Sequence, residues 1–484
     1  MRKVVLHILS VVVLFTTLTS CENYLDVNKN PNVAEEVDPS LLFSTATVYY
    51  ANLRSSGDLY VPMALAGQSI ATGGSNPTGW GTPSEEQYQI SPFFTGNTWR
   101  ALYTNVAANL TQAIELAESA TPVNNNAAAQ AKVLKAMAAY DITTTFGDVP
   151  FSEAWNTEIS YPHFDPQQQV LEGVVALLDE AYAQFDEDSP LKIEGNDLFY
   201  GGDISKWKRL ARSVKLRTLM TMVDKDPSKA AAIGQMVTEG GMINSADDNA
   251  LIYYQETSGR RNPKYEIGLQ YNGGQNFFFG STDVVAFMND LDDPRLPQFF
   301  DKPEGADEYI GIENGETASD DVHVRISNYL HRADAPEVFF TYQEQLFYEA
   351  EVYARGLGIG VDLGQATTLY KQAVAASAKY FEVAPATAET FAASLPELSS
   401  LAEPVKYIHM HHWVDKMDRG LDAFTQWRRS GPEGQEVPTL TLPVGAPAGP
   451  LFRRYPYPIT NEIAANPNAP QETTYYYDKV WFDI

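Results

Sequence analysis

Several groups of residues in this sequence have types and spacings that chemistry can use. Cys21 is the only cysteine among 484 residues and directly follows Leu18-Thr19-Ser20. A lone thiol can carry a covalent group, and it leaves no intrachain disulfide to form. On a helix, His409 and His412 of His409-Met410-His411-His412 would lie three apart, near enough to share an ion. No third ligand accompanies them, and Trp413 beside them points to a half-buried helix with a structural role. Asp290, Asp292 and Asp293 could offer calcium its oxygen ligands but lack a full loop motif, so a turn before Asp293-Pro294 is expected there. With 62 acidic residues, spacing singles out no pair of carboxylates at the about 5–5.5 Å or 6.5–9.5 Å that glycoside hydrolysis needs. A nucleophile-elbow serine and a phosphate-cradling glycine loop are both missing. The expectation is a protein that is not an enzyme and has no cofactor or metal.

Two stretches mix rings with amide and guanidinium groups, the blend that holds a ligand with flat apolar faces and polar edges. One runs from Asn76 to Tyr88, with Trp80 between Gly79 and Gly81. The other runs from Arg260 to Gln275 and carries Arg261, Asn262, Tyr265, Tyr271 and Asn272. These eight residues are the candidate ligand contacts, with packing or a partner surface as the competing role for Trp80.

The elements that would position them follow from hydropathy. Arg2-Lys3 and an apolar run from Val4 to Leu18 are too short for the roughly 20 residues of a membrane-spanning helix and fit a secretory signal. This divides the chain into a leader at 1–20, a polar tether at 21–38 and one domain at 39–484. The net charge of −28 argues against nucleic acid or an anionic lipid face as partner. The apolar fraction of 44% is that of a packed globular protein.

From Leu41 the pattern is helical. Trp99, Leu102, Tyr103, Val106, Leu110, Ile114 and Ala117 share one face, Val133, Met137, Tyr140 and Thr144 a second, and Leu171 to Phe185 a third. Six basic residues between Lys206 and Arg217 are expected to pair with carboxylates. Helical spacing returns from Tyr342 to Tyr380 and from Val405 to Trp427. Residues 67–98 and 245–340 are expected to be long loops, with short β-like runs such as Ala250–Tyr254. The fold class is therefore mostly α: paired helices as a scaffold, long irregular insertions and a few short strands. The intervals are too uneven for a regular repeat array.

Leu18-Thr19-Ser20-Cys21 resembles the lipobox of bacterial lipoproteins, in which Cys21 would be lipidated. Phe146-Gly147-Asp148-Val149-Pro150-Phe151, after an Ala-rich helix, resembles a signature of the SusD/RagB family of outer-membrane lipoproteins. Phe199-Tyr200-Gly201-Gly202-Asp203, Asp293-Pro294-Arg295-Leu296, Leu346-Phe347-Tyr348-Glu349-Ala350, Phe424-Thr425-Gln426-Trp427-Arg428 and Arg454-Tyr455-Pro456-Tyr457-Pro458 with Glu462 have counterparts there in the same order. The resemblance implies a tetratricopeptide-like α scaffold anchored to the outer membrane and facing outwards. It also implies a SusC-like TonB-dependent transporter as partner, and oligosaccharide as the captured nutrient, or peptide in some branches. A hydrolase and a transporter lid with no ligand of its own are the rival readings. No site residue transfers by motif, and the matched strings are expected to be packing and corner devices.

Overall fold

The computed structural model describes residues 37–74, 80–270, 276–459 and 463–484. Cys21 and its leader, with Asn76, Tyr271, Asn272 and Glu462, lie outside the described residues. Residues 39–484 cluster as one unit. Its main helices are α1 (Pro39–Arg54), α2 (Tyr60–Ala66), α3 (Asn109–Ser119), α4 (Asn125–Phe146), α5 (Gln167–Gln184), α6 (Ile204–Met222), α7 (Ala230–Glu239), α8 (Tyr342–Arg355), α9 (Leu363–Tyr380), α10 (Pro404–Asp415) and α11 (Gly420–Arg428). Four of these start on a polar side chain that accepts a hydrogen bond from a backbone N–H three residues on: Asn124, Asp203, Thr341 and Asp362. Each such cap stabilises its helix by about 1 kcal/mol.

Successive helices pack as pairs, α3 on α4, α4 on α5, α5 on α6 and α8 on α9. The alanines of α4 are buried almost throughout, so its small side chains let neighbours approach on several sides. The result is the mostly α scaffold that the hydrophobic spacing predicts.

The strands are short: β1 (Ile70–Ala71), β2 (Ala250–Ile252), β3 (Phe279–Gly280), β4 (Phe300–Asp301), β5 (Arg325–Ile326) and β6 (Glu337–Phe340). They form an antiparallel sheet in the order β1-β3-β5-β4 and an antiparallel pair β2-β6 with a register shift after Ala250. These sheets tie the two insertions to each other and to the helices.

The 67–98 stretch is less irregular than expected. It contains short helices at Pro83–Glu86 and Pro92–Arg100, capped by Thr82 and Ser91. Proline at the first helical position loses no hydrogen bond and presets φ, so there it starts a helix rather than stopping one. The same device begins the helix Pro385–Ser394, which periodicity missed. The helix after Arg100 is of π type over Ala101–Ala108 before α3. The last helical region is also not continuous: it breaks between Asp415 and Gly420.

The family-like turn at Phe146-Gly147-Asp148 packs on the proline-rich tail. Gly147 has φ of +84°, and its N–H donates to the Thr143 carbonyl at 2.7 Å. A Cβ there would lie 3.0 Å from the Arg454 guanidinium, so glycine suits both the backbone and the contact. Asp148 accepts from the Gln167 N–H at 2.8 Å, and the Tyr457 hydroxyl donates to the Asp148 carbonyl at 2.5 Å. Phe146 packs on Trp99 and Tyr455. The turn and the proline-rich tail thus lock each other.

The basic face of α6 is paired, as its setting in an acidic chain predicts. Lys208 meets Glu187, Arg209 meets Asp248, Arg212 meets Glu239 and Lys215 meets Asp179, while Lys206 donates to the Asp247 carbonyl. Arg217 points inward, 3.6 Å from Glu344 and 3.9 Å from Asp422.

There it joins a buried network centred on Arg54. This guanidinium reaches Asp141 of α4 at 2.5 Å, Asp422 of α11 at 2.6 Å and Glu337 of β6 at 3.0 Å. Glu344 in turn holds Arg419 at 2.7 Å and Lys416 at 3.0 Å, and Arg419 holds Asp415 at 2.6 Å. Burial disfavours the Glu344 carboxylate, but Lys416, Arg419 and Arg217 outweigh it and hold the group down at about 2. Removing one member of such a set would leave its partners buried and charged, which is costly.

Candidate functional site

Where this network reaches the surface, a cavity of about 280 Å³ opens between several parts of the chain. Its apolar floor is the β2–β6 pair, with Leu251, Val338 and Pro336. The start of α8 contributes Thr341 and Gln343, and the end of α9 contributes Tyr380 and Glu382. The break between α10 and α11 supplies Asp415, Asp418 and Arg419. The helix after the break begins at Gly420, which passes so close to α2 that a Cβ would lie 2.5 Å from the Tyr60 carbonyl oxygen.

Three tyrosines edge the cavity. Tyr253 follows β2 and is 71% exposed, so its ring face is free to stack. Tyr329 lies under the Arg332 guanidinium, 4.5 Å from ring centre to Cζ. Burial and the nearby Glu382 push its phenol up to about 12 against the pull of Arg332. Tyr380 is raised further, by burial first and then by Asp415, Asp418 and Tyr253, so its hydroxyl stays neutral and able to donate or accept.

Asp418 anchors the wall. It accepts from Lys264 Nζ at 2.9 Å and from the Tyr60 hydroxyl at 3.1 Å, and its Oδ1 is 3.1 Å from His331 Nε2. Burial would raise this carboxyl, but Lys264 and His331 hold it at about 2. Lys264 belongs to the Arg260–Gln275 stretch singled out above, so that stretch is tied to the cavity wall at this residue. Asn262 reinforces the tie: its N–H donates to the Ala333 carbonyl at 2.8 Å and its side chain to the Ala335 carbonyl at 2.9 Å.

The candidate residues fare differently. Arg261 is partly exposed, stacks over Tyr265 at 5.2 Å and donates to the Glu256 carbonyl at 2.7 Å. Tyr265 is half-buried beneath it. Asn262 is fully buried and spent on the backbone, so its place is a structural one. Tyr88 is likewise turned inward, with its ring against Phe452 and Tyr476 and its backbone at φ of +68°. Asn262 and Tyr88 thus both occupy buried packing positions. Trp80 is half-buried, and its indole donates to Asp58 at 3.1 Å. It lies flat on Gly57, where a Cβ would come within 2.3 Å of the ring.

Sequence reasoning missed Tyr253, Tyr329, Tyr380, Asp415 and Asp418. Tyr253 alone carried a signal, since it closes the β-like run Ala250–Tyr254. The others come together only through folding.

The histidines are buried, each in separate contacts. His409 meets the Ser430 carbonyl at 3.0 Å and Glu351 at 3.1 Å. His411 packs among Phe287, Tyr370 and Tyr407, where burial and Arg295 push it down to about 3. His412 stacks on Phe347. Asp293 is paired with Arg295 at 2.6 Å in full burial, and Asp292 turns the chain with φ of +51°. Among the described residues, no group of three His, Cys, Asp or Glu is placed to hold a metal ion, and no helix is long and apolar enough to cross a membrane.

Residues 31–458 match the model of a SusD-like family described as starch-binding and associating with the outer membrane. Solved structures share the fold. A chitin-binding protein is 23% identical, superposes with a TM-score of 0.75 and covers 92% of this chain and 100% of its own. A SusD/RagB family protein from Bacteroides thetaiotaomicron is 20% identical, with a TM-score of 0.74 over 93% of this chain and 99% of its own. A chitin-binding SusD homolog from Flavobacterium johnsoniae is 19% identical, with a TM-score of 0.70 over 92% of this chain and 97% of its own. Comparison with curated proteins finds no significant match.

Proposed function

The chain belongs to the SusD-like family, and from that premise we propose that it is a nutrient-binding surface lipoprotein that captures oligosaccharides and passes them to a SusC-like TonB-dependent transporter in the outer membrane. Lipid on Cys21 would hold it at the membrane, where two or more acyl chains are needed for firm anchoring. The observation that carries the binding role is the cavity edged by Tyr253, Tyr329 and Tyr380. Sugar rings offer C–H faces to tyrosine rings, and their hydroxyls match the carboxylate, amide and phenol groups of the wall. Arg261 and Tyr265, close in sequence to the Lys264 that holds Asp418 of that wall, and Trp80 are further stacking candidates. Two similar structures are of chitin-binding proteins, which makes β-linked amino-sugar polymers the first ligands to try.

Capture without chemistry fits the carboxyl groups. A general acid needs a raised pKa. Burial pushes Glu85 up to about 7 and Asp283 and Asp483 up to about 6, yet Glu85 closes the capping box with Thr82 and none of the three lines the cavity. Calorimetry against a panel of glycans and peptides tests the proposal. The expected result is saturable glycan binding with no new reducing ends; reducing-end release would establish a hydrolase, and peptide binding alone would replace the ligand class. Mass spectrometry of the mature protein should find Cys21 acylated, and a barrel transporter should co-purify from native membrane.

A further inference from the structure

The charged groups of the cavity wall are not equally satisfied. Arg419 spends one guanidinium nitrogen on Glu344 at 2.7 Å and another on Asp415 at 2.6 Å. Arg332 is held by the Tyr329 carbonyl at 2.8 Å and by Asp334 at 3.2 Å. Asp418 is served by Lys264, His331 and Tyr60. Asp415 is different. It is only 2% exposed, yet its Oδ1 has no hydrogen-bond partner among the described residues.

A buried carboxylate oxygen without a donor is costly. Asp415 lines the cavity, so an occupant that brings a donor to it relieves that cost, and one that brings none gains nothing there. Resting on the glycan reading above, we infer that Asp415 is a specificity-determining residue: the cavity takes neutral or amine-bearing glycans that turn an N–H or O–H towards it, and rejects uronic-acid glycans. An ammonium or amide nitrogen meets Asp415 with a charge-assisted hydrogen bond. A uronate carboxylate brings a like charge to a wall that also carries Asp418 and Glu382, while Arg332 and Arg419 are already engaged.

The test uses the full chain and four hexasaccharides on one β-1,4 backbone: glucose, N-acetylglucosamine, glucosamine and glucuronic acid. Wild type should bind the first three at least about ten-fold more tightly than the glucuronate, the size expected for one charge-assisted hydrogen bond. Asp415→Asn, which keeps the shape and adds a donor, should shrink the glucosamine-to-glucuronate ratio several-fold. Should that variant not fold, wild type in about 0.5 M salt decides: at a Debye length of only a few ångströms a preference set by overall acidity disappears, whereas one set by direct contact persists. Glucuronate binding equal to glucose, an unchanged ratio in Asp415→Asn, or a preference abolished by salt would each overturn the role of Asp415 while leaving glycan capture intact. Failure of all four sugars to bind would overturn both.

Discussion

The ionic heart of the scaffold and the tyrosine-edged cavity meet at Arg419 and Asp415, yet Arg54 at the centre of the one and the wall of the other treat polar groups in opposite ways. Around Arg54, each guanidinium nitrogen has an acceptor: Nε meets Glu337, and the two terminal nitrogens meet Asp141 and Asp422. Around the cavity, a ring face is left open at Tyr253 and a carboxylate oxygen is left without a donor at Asp415. Closed bonding ties α1, α4, α11 and β6 together. Incomplete bonding is the condition for taking a ligand, because a wall with nothing left to bond gains nothing from an occupant. The two regions need each other: the open wall keeps its shape because Arg419 is tied into the closed set.

Breaking the closed region should have the largest effect. Arg54→Met leaves Asp141, Glu337 and Asp422 without their shared cation, and urea unfolding should report a loss of about 3–5 kcal/mol. A mild loss instead would mean that water or rearranged pairs replace the guanidinium, and that the heart is less closed than described.

Lys264 sits between the two regions and sharpens the comparison through pH. It helps hold Asp418 at about 2, below the roughly 3.9 of an unfolded aspartate. A depressed carboxyl stabilises the folded chain above the unfolded value and stops doing so as pH falls towards the folded one. Lys264→Met should therefore cost about 1.5–3 kcal/mol near neutrality. Its deficit relative to wild type should narrow as pH drops from about 4 towards 2. A deficit independent of pH would assign the effect to lost packing on the Tyr60 ring, which lies 4.6 Å from Nζ.

The open region should respond in the reverse sense. Tyr253→Ala should weaken glycan binding roughly ten-fold, as loss of a contributing aromatic contact does. Its exposed position keeps the stability change within about 0.5 kcal/mol. Equal binding would remove Tyr253 from the site.

The same contrast explains what could be read from the chain beforehand. The paired helices were legible because Leu110, Ile114 and Ala117, or Leu171, Val174 and Leu178, record burial at helical spacing. The basic face of α6 was legible from charge balance alone. The short helices at Pro83, Pro92 and Pro385 were not, since proline reads as a breaker unless its place in the first turn is recognised. Asn262 and Tyr88 looked like ligand groups because amide and phenol chemistry is the same whether it serves a backbone, a core or a sugar. The cavity was hidden for a plainer reason. Tyr253, Tyr329, Tyr380 and Asp415 are scattered over more than 160 positions and converge only where Gly420 lets α11 close on α2.

A crystal structure with the most tightly bound oligosaccharide tests the account most directly. It predicts a sugar ring stacked on Tyr253, with a hydroxyl or amide of the same ligand reaching the wall at Tyr380 and Asp415. A sugar seated elsewhere, with that cavity filled only by water, would contradict it.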